Sequence, residues 1–279
     1  MRINHNIPAL RTLHQMNKTN ANMDKTMQRL SSGLRINSAS DDAAGLAISQ
    51  KMETQVRGLQ QANRNSMDGI SLIQTAEGAL NEVHSMLQRM RELAVQASNG
   101  TLEDKDRGTI QDEIDQLIEE IDRTAENTEY NKQTLLNGDL VASGTPLTGG
   151  LDLQIGANEK QMMKIGIEDM RASALGVSGL DLAATQSGAA LAITTIDKAI
   201  AMVSSTRSKL GAYQNRLEHV VANLDVAAEN MTESMSRIRD ADMAKEMSEY
   251  TKQNILAQAG NSMLAQANQR PQQILQLLQ

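Results

Sequence analysis

The first 35 residues carry apolar side chains at spacings that alternate between three and four, if the polar Asn20 fills one missing step. Such a heptad stripe follows one side of a helix and is typical of a coiled-coil seam. The sequence therefore predicts an N-terminal helix that packs against a second helix. The apolar positions of the predicted seam are Leu13, Met16, Met23, Met27, Leu30 and Leu34.

Two further helices are predicted before the middle of the chain. Apolar residues keep a helical period between Met52 and Met90, which indicates a helix over 42–98. At 1.5 Å per residue this helix would be on the order of 85 Å long, longer than the helices of an ordinary globular domain. A shorter helix is predicted over 103–127, where isoleucines recur on one face.

The period changes to two in the middle of the chain. Apolar and polar residues alternate over 151–155 and again over 163–167, and the turn residues Gly156, Ala157 and Asn158 lie between the two runs. Alternation on both sides of a short turn is the signature of a hairpin. We therefore predict a β-hairpin over 151–168, packed on the helices.

Helical periodicity resumes near residue 189 and continues to about residue 268, with an interruption predicted at 240–242. An isolated amphipathic helix is marginal in water, so each end of the chain should be poorly ordered until its apolar stripe is covered. We expect the two ends to pair with each other and with copies of themselves. The C-terminal seam positions are Met247, Tyr250, Leu264, Leu275, Leu277 and Leu278.

Composition strengthens the helical interpretation. Aromatic residues make up only 1% of the chain, Phe and Trp are absent, and 17 Met together with Ala, Leu and Ile must fill the core. A net charge of -7 with interspersed signs makes nucleic acid an improbable partner. With no apolar run of 18 residues, membrane insertion is not expected. The N-terminus lacks the apolar region of a secretory signal.

Catalytic and metal-binding motifs are missing from the sequence. The four His never fall at the spacing of a helical zinc pair, and there is no phosphate loop, dinucleotide fingerprint or nucleophile elbow. Three carboxylate pairs, at 41–42, 119–120 and 240–242, suit helix starts and solvated faces better than acid-base catalysis. We expect no enzyme activity, no metal and no cofactor.

Several segments resemble bacterial flagellins closely, in order and over nearly the whole chain. The most specific are LSSGLRINSASDDAAGLAIS at 30–49, DGISLIQTAEGAL at 68–80, QRMRELAVQASNGT at 88–101 and SRIRDADMAKEMSEYTKQNIL at 236–256. LQIGAN at 153–158, KLGAYQNRLEH at 209–219 and SMLAQANQRPQQILQLL at 262–278 complete the match.

The resemblance implies a mainly α fold, in which long antiparallel helices form a coiled-coil terminal domain and a helical rod with a small β-hairpin. It divides the chain into 1–41 and 236–279, the two halves of the inner domain with its spokes, and the rod at 42–235, whose third helix covers 189–235. Only a short Gly-rich stretch stands where many flagellins insert variable domains. The subunit therefore resembles a minimal flagellin.

The same resemblance implies a function and a set of partners. Flagellins polymerise into the flagellar filament, the helical propeller for swimming, after leaving the cell unfolded through the flagellar type III channel. The expected partners are further copies of the chain, an export chaperone, the filament cap and the hook-associated proteins. The expected location is extracellular, in the filament.

A further partner is implied by the segment QRMREL. In some flagellins the matching segment is read by the innate immune receptor Toll-like receptor 5, and this chain has Gln88, Arg89, Leu93 and Glu113 at the matching positions. Met90 departs from the Val that is usual there. The same residues are also candidates for contacts between subunits.

Two alternatives stay open at the level of sequence. A hook–filament junction protein resembles flagellin at its termini, although the continuous match through the middle of this chain favours the filament subunit. The signalling coiled coil of a chemoreceptor would need a heptad seam symmetric about a central turn, where this chain has a Gly-rich β region.

Overall fold

The computed structural model describes residues 6–141, 150–182 and 186–277, with the side chains of 186, 187 and 270–277 left aside. Within these residues the chain forms six helices and two small antiparallel sheets. The helices are α1 Ile7–Ser32, α2 Ala43–Ala97, α3 Asp104–Asn127, α4 Ala172–Leu175, α5 Gln186–Arg239 and α6 Met243–Leu277. The strands are β1 Glu129–Tyr130, β2 Gln133–Thr134, β3 Leu151–Gln154 and β4 Met162–Ile165.

The mainly α fold class, with long helices and one small β-hairpin over 151–168, is confirmed. The helices predicted at 42–98 and 103–127 correspond to α2 and α3, and α5 extends the helix predicted at 189–235 at both ends. Two compact units are present: Met1–Val56 with Glu229–Gln279, and Arg57–Ala228. We call them the terminal unit and the central unit. Their bounds differ from the predicted 41/42 and 235/236 boundaries because α2 and α5 contribute residues to both.

Acidic residues begin two of the long helices, as the carboxylate pairs predicted. The Asp42 carboxylate accepts a hydrogen bond from the Gly45 backbone N–H at 2.9 Å. The Asp242 carboxylate likewise accepts from the N–H groups of Ala244 and Lys245, at 3.0 and 3.2 Å. Both satisfy first-turn donors that have no partner within the helix. The predicted break at 240–242 separates α5 from α6.

The segment that follows α1 and the segment that precedes α6 pair in a short backbone junction in the terminal unit. Leu34 pairs antiparallel with Asp240. The N–H of Arg35 donates to the Arg239 carbonyl at 2.7 Å, and the N–H of Ala241 donates to the Gly33 carbonyl at 2.9 Å. Gly33, at φ 70, ends α1 in the left-handed conformation that glycine adopts without strain.

The core of the central unit is formed by α2, α3, α5 and the hairpin of β3 and β4. In that hairpin Leu151 pairs with Ile165 and Gln154 with Met162. The hairpin tip lies against α2, where a Cβ added to Gly58 would stand 2.9 Å from the Ala157 Cβ. Fully buried side chains from α2, α3, α5 and the hairpin share one core cluster, among them Ile73, Leu80, Leu87, Ile114, Ile121, Ile165, Ile196 and Leu210.

Helix α5 from Gly188 to Arg239 is long and apolar enough to cross a membrane by length and composition, the one such helix among the described residues. Its apolar side chains at Ile196, Val203 and Leu210 are fully buried in the core of the central unit. Core packing therefore uses part of its apolar surface.

Two small elements were missed by the sequence patterns. Strands β1 and β2 are two residues each, and Asn131 and Lys132 between them have φ values of 52 and 64. Two consecutive positive φ values are the mark of the type I′ turn that closes tight hairpins. Helix α4 is a single turn that ends at Gly176. Neither element is long enough to show a period, although Asn131 was a turn signal.

Candidate assembly surface

Helices α1 and α6 pack against each other antiparallel. Near one end the Asn6 side-chain amide donates to the Ala267 carbonyl at 2.9 Å. In the middle a Cβ placed on Gly260 would lie 4.0 Å from the Met16 Cγ, and toward the other end Arg29 forms a 3.5 Å ion pair with Glu246. The three pairs run in opposite directions along the two helices, as an antiparallel coiled coil requires.

The face that α1 turns toward α6 is a strict heptad, but three of its seven positions are polar. Thr19 and Thr26 are buried, with 4% and 5% of their surface exposed. Their hydroxyls donate to the carbonyls of Gln15 and Asn22, at 3.0 and 2.9 Å, so each is satisfied within its own helix. The positions that share this face are Ala9, Thr12, Met16, Thr19, Met23, Thr26 and Leu30.

The matching face of α6 follows the same spacing. Gln253 is buried at its centre, and its side-chain amide donates to Glu249 at 3.0 Å. Hydrogen bonds from Lys252 and then Gln253 lower the pKa of Glu249. The positions on this face are Glu246, Tyr250, Gln253, Ala257, Gly260, Leu264 and Ala267, so small residues allow the two helices to approach closely.

Large apolar side chains of both helices point away from this contact. On α1 the exposed ones are Ile7, Leu10, Leu13 and Met27. On α6 they are Met243, Met247, Ile255, Leu256 and Met263. Together these nine side chains are named the outer apolar set. The most deeply buried side chains of this contact are thus polar, while nine large apolar side chains of the same two helices are exposed.

The predicted seam divides between these two surfaces. Five of its members, Met16, Met23, Leu30, Tyr250 and Leu264, lie on the faces that α1 and α6 share, and Leu34 lies in the backbone junction. Leu13, Met27 and Met247 do not; they are 43%, 48% and 52% exposed and belong to the outer apolar set. Leu278 and the side chains of Leu275 and Leu277 lie outside the described residues.

A second exposed surface lies where α2 faces α3. Arg89 forms an ion pair with Glu113 at 2.9 Å and a longer one with Glu92 at 3.3 Å. The hydrogen bonds that Arg89 donates to the Glu113 carboxylate raise the pKa of the Arg89 guanidinium. Gln88, one residue earlier, is exposed and hydrogen-bonds the His84 ring at 3.1 Å. Gln88, Arg89 and Glu113 therefore form one polar surface on adjacent helices.

Leu93 does not belong to that surface. Only 2% of it is exposed, and it packs in the core with Leu87, Met90 and Ala97. In the folded subunit its side chain is covered by the subunit itself, and its assignment to a partner contact stays a prediction. The helical period of α2 gave the signal: Leu93 continues the buried series of Val83, Leu87 and Met90.

In the described part of the chain, His, Asp and Glu side chains nowhere gather into a group of three that could hold a metal ion. The surface features are instead helix faces. Two family models match those helices: the bacterial flagellin N-terminal helical region over residues 3–140, and the bacterial flagellin C-terminal helical region over residues 193–278.

Curated relatives agree with these matches over full length. The chain is 54% identical to a flagellin of Bacillus subtilis and 53% identical to a flagellin of Halalkalibacterium halodurans, and each alignment covers 100% of both chains. The chain belongs to the bacterial flagellin family.

Another flagellin relative shows where family members differ in length. A flagellin of Clostridium tyrobutyricum is 42% identical over 379 aligned positions, against the 279 residues of this chain. In the present flagellin, most of the segment between α3 and α5 lies outside both family matches. That segment includes β3, β4 and α4. The short length of this member therefore fits a minimal central region.

Among solved structures, a Vibrio parahaemolyticus chain described as a flagellar hook-associated protein has a TM-score of 0.59 to this flagellin. It is 16% identical and covers 72% of this chain and 100% of its own. At 16% identity this likeness shows only a shared fold and carries no conclusion about function.

Proposed function

We propose that this chain is the structural subunit of a flagellar filament, polymerising with copies of itself into the helical propeller for swimming. The outer apolar set is the observation that carries the proposal. Nine large apolar side chains stand exposed on the two paired terminal helices. Exposed large apolar side chains gathered on one pair of helices favour burial against another chain. The full-length flagellin relatives support a second copy as that chain.

The same helices suit export. Among the described side chains of α1 and α6, only Thr19, Thr26 and Gln253 are buried, whereas the apolar ones of this contact stay partly exposed, so the contact can open at low cost. A subunit that leaves the cell unfolded through the flagellar type III channel needs ends of this kind. An export chaperone, the filament cap and the hook-associated proteins are the remaining partners, and the extracellular filament is the location.

Seeded or salt-induced polymerisation of the purified chain, followed by electron microscopy, tests the proposal. We expect long filaments with a central channel. Leu13→Glu, in the outer apolar set, should prevent their growth, whereas Gln28→Glu, at an exposed polar position of the same helix, should not. A chain that forms only short caps or rings on existing filaments would instead be a hook–filament junction protein.

We further propose that the monomer is recognised by Toll-like receptor 5. The exposed polar surface of Gln88, Arg89 and Glu113 supports it, because an arginine with oriented hydrogen-bond donors beside a carboxylate is a common recognition element. Leu93 is buried and supports this surface by packing α2 in the core, and its own contact with the receptor stays a prediction.

Receptor-bearing reporter cells exposed to purified monomer test this recognition. Arg89→Ala should reduce the response at least tenfold. Arg91→Ala removes a neighbouring exposed arginine, paired with Asp197, and should leave the response nearly unchanged. A monomer that fails to activate the cells, with filament formation intact, would refute receptor recognition alone.

A further inference from the structure

Methionine exposure varies widely along this chain. Among the described residues, Met90, Met163 and Met170 are buried. Seven others are exposed, and they fall into two groups. Met27, Met243, Met247 and Met263, with 48%, 48%, 52% and 58% of their surface exposed, are on α1 and α6 and are named the outer methionines. The central-unit methionines are Met67, Met162 and Met202, which are 51%, 52% and 38% exposed.

The outer methionines are four of the nine members of the outer apolar set. Methionine is flexible and polarisable, so it fits irregular apolar contacts between helices. Its thioether sulfur is also the one site in that set that a mild oxidant attacks. A sulfoxide there is polar and chiral, and it disrupts methionine-rich interfaces.

We propose that the outer methionines make assembly of this chain sensitive to peroxides. Oxidation of the free subunit at these positions blocks polymerisation, and enzymatic reduction restores it. This inference rests on the proposed filament function, because it assigns the outer methionines to the contact between copies. Neither the α1–α6 contact nor the core should change, since the outer methionines face away from both.

The chemistry balances with a hydroperoxide as oxidant. The sulfur attacks one oxygen of hydrogen peroxide, the O–O bond breaks, an S–O bond forms, and the other oxygen leaves as water after taking up the proton of the transferred oxygen. The sulfur is oxidised by two electrons to a sulfoxide. Methionine sulfoxide reductase reverses the step: the oxygen leaves as water while a dithiol is oxidised to a disulfide.

The energetic effect falls on assembly because the sulfoxide oxygen accepts hydrogen bonds from water in the free subunit. An apolar contact offers no replacement, so burial of the oxygen is opposed. We expect the critical concentration for polymerisation to rise about tenfold or more for each sulfoxide that a contact must bury. The central-unit methionines lie outside the outer apolar set and should not contribute.

The first experiment uses wild-type monomer treated with hydrogen peroxide until each exposed methionine is partly oxidised. The sample is polymerised and pelleted, and peptide mass spectrometry compares filament with supernatant. Sulfoxides at the outer methionines should be depleted at least fivefold from the filament, whereas those at Met67, Met162 and Met202 should partition evenly. Even partition of both groups, or equal depletion of both, overturns the proposal.

Two variants supply a matched comparison. One carries M27L, M243L, M247L and M263L, and the other carries M67L, M162L and M202L. Each is scored by the ratio of filament mass after and before peroxide. The first variant should retain most of its filament mass, and the second should lose it as the wild type does and recover it with methionine sulfoxide reductase. An equal loss of filament mass after peroxide treatment in both variants overturns the proposal.

Polymerisation of the untreated wild-type chain distinguishes a failure of the proposed filament function from a failure of the proposed peroxide sensitivity. If untreated chain does not polymerise, the proposed filament function is wrong, and the assembly role of the outer methionines falls with it. If untreated chain polymerises and fully oxidised chain polymerises equally well, the filament function stands and only peroxide sensitivity is refuted.

Discussion

Buried hydroxyl groups on the helices are of two kinds. Thr19, Thr26 and Ser66 each donate to the carbonyl four residues earlier, so burial leaves no hydroxyl unsatisfied. Thr206 on α5 is 1% exposed, and its Oγ1 has no hydrogen-bond partner in the described part of the chain. A buried hydroxyl without a partner costs about 1–3 kcal/mol. The first kind acts as a small apolar residue, and the second is a local weakness of the core.

Thr206→Val should therefore stabilise the central unit. Valine keeps the shape of threonine and removes the unsatisfied hydroxyl, so the free energy of unfolding should rise by about 1 kcal/mol. Urea unfolding followed by circular dichroism measures the change. Ser66→Ala is the control, because its hydroxyl already donates to the Ala62 carbonyl at 2.8 Å, and it should bring no gain. A less stable Thr206→Val variant would contradict the assignment.

Asp41 gives the loop before α2 a dependence on pH. Its carboxylate accepts hydrogen bonds from the Ser38 hydroxyl and backbone N–H, at 3.1 and 3.2 Å, and these lower the pKa of Asp41 in the folded chain. A lowered folded-state pKa contributes stability above the unfolded value near 4, and that contribution is lost as pH falls through the folded value.

Asp41→Asn should therefore lower the melting temperature at pH 7 and have a progressively smaller effect toward pH 2. At low pH the wild-type carboxyl is protonated and resembles the amide. Thermal unfolding of both proteins across this range measures the difference. A difference that stays constant with pH would show that Asp41 does not act through its charge.

At the scale of elements, the contact between α1 and α6 shows what a hydrophobic pattern could and could not give. It gave the two helices, their heptad spacing and Met16, Met23 and Leu30. It assigned Leu13 and Met27 to the internal seam, where the structure has the neighbouring Thr12 and Thr26. Threonine counts as polar in a hydrophobic pattern, although its hydroxyl is satisfied inside the helix. The recurrence of Thr12, Thr19 and Thr26 every seven residues was the available signal.

Adjacent substitutions distinguish the two faces of α1. Thr26→Asp buries an unpaired charge against α6 and should open that contact at a cost of several kcal/mol. Met27→Asp places the charge on an exposed position and should change monomer stability by less than about 0.5 kcal/mol. Amide hydrogen exchange of α1 and α6 in the monomer measures both. Equal loss of protection in the two variants would refute the assignment of the faces.

Helix α2 supplies a second matched pair. Gly58→Ala should destabilise by about 1–3 kcal/mol, because the new Cβ would meet Ala157 at 2.9 Å and displace the hairpin tip. Gly78→Ala in the same helix meets nothing within 4 Å and should stabilise by about 0.5–1 kcal/mol through helix propensity. Thermal melting measures both, and equal shifts would show that the hairpin does not rest on Gly58.

At the scale of the whole molecule, the chain consists of two units with different kinds of packing. The central unit has a continuous core of fully buried Leu, Ile, Val and Met side chains from helices and hairpin. The paired helices of the terminal unit bury Thr19, Thr26 and Gln253 and leave large apolar residues uncovered. The central unit is therefore expected to be stable on its own. Self-association is the proposed role of the second.

Deletion of 1–34 or of 243–279 should leave the central unit folded and abolish polymerisation. Each deletion removes one helix of the α1–α6 pair and its share of the outer apolar set, while the core of the central unit keeps all its members. Circular dichroism melting and a pelleting assay measure the two properties. Filament formation by either truncated chain would contradict the role assigned to the ends.

The backbone junction at Gly33–Arg35 and Arg239–Ala241 has a kinetic consequence. Arg35 and Ile238 are 203 residues apart in sequence, yet the Arg35 guanidinium donates to the Ile238 carbonyl at 2.6 Å. Once this junction forms, α1 and α6 start from a common point and no long loop remains to be closed. We then expect the two helices to pair turn by turn from the junction outward, because each is held at a high effective concentration near the other. The free ends at Asn6 and Ala267 close last and fray first.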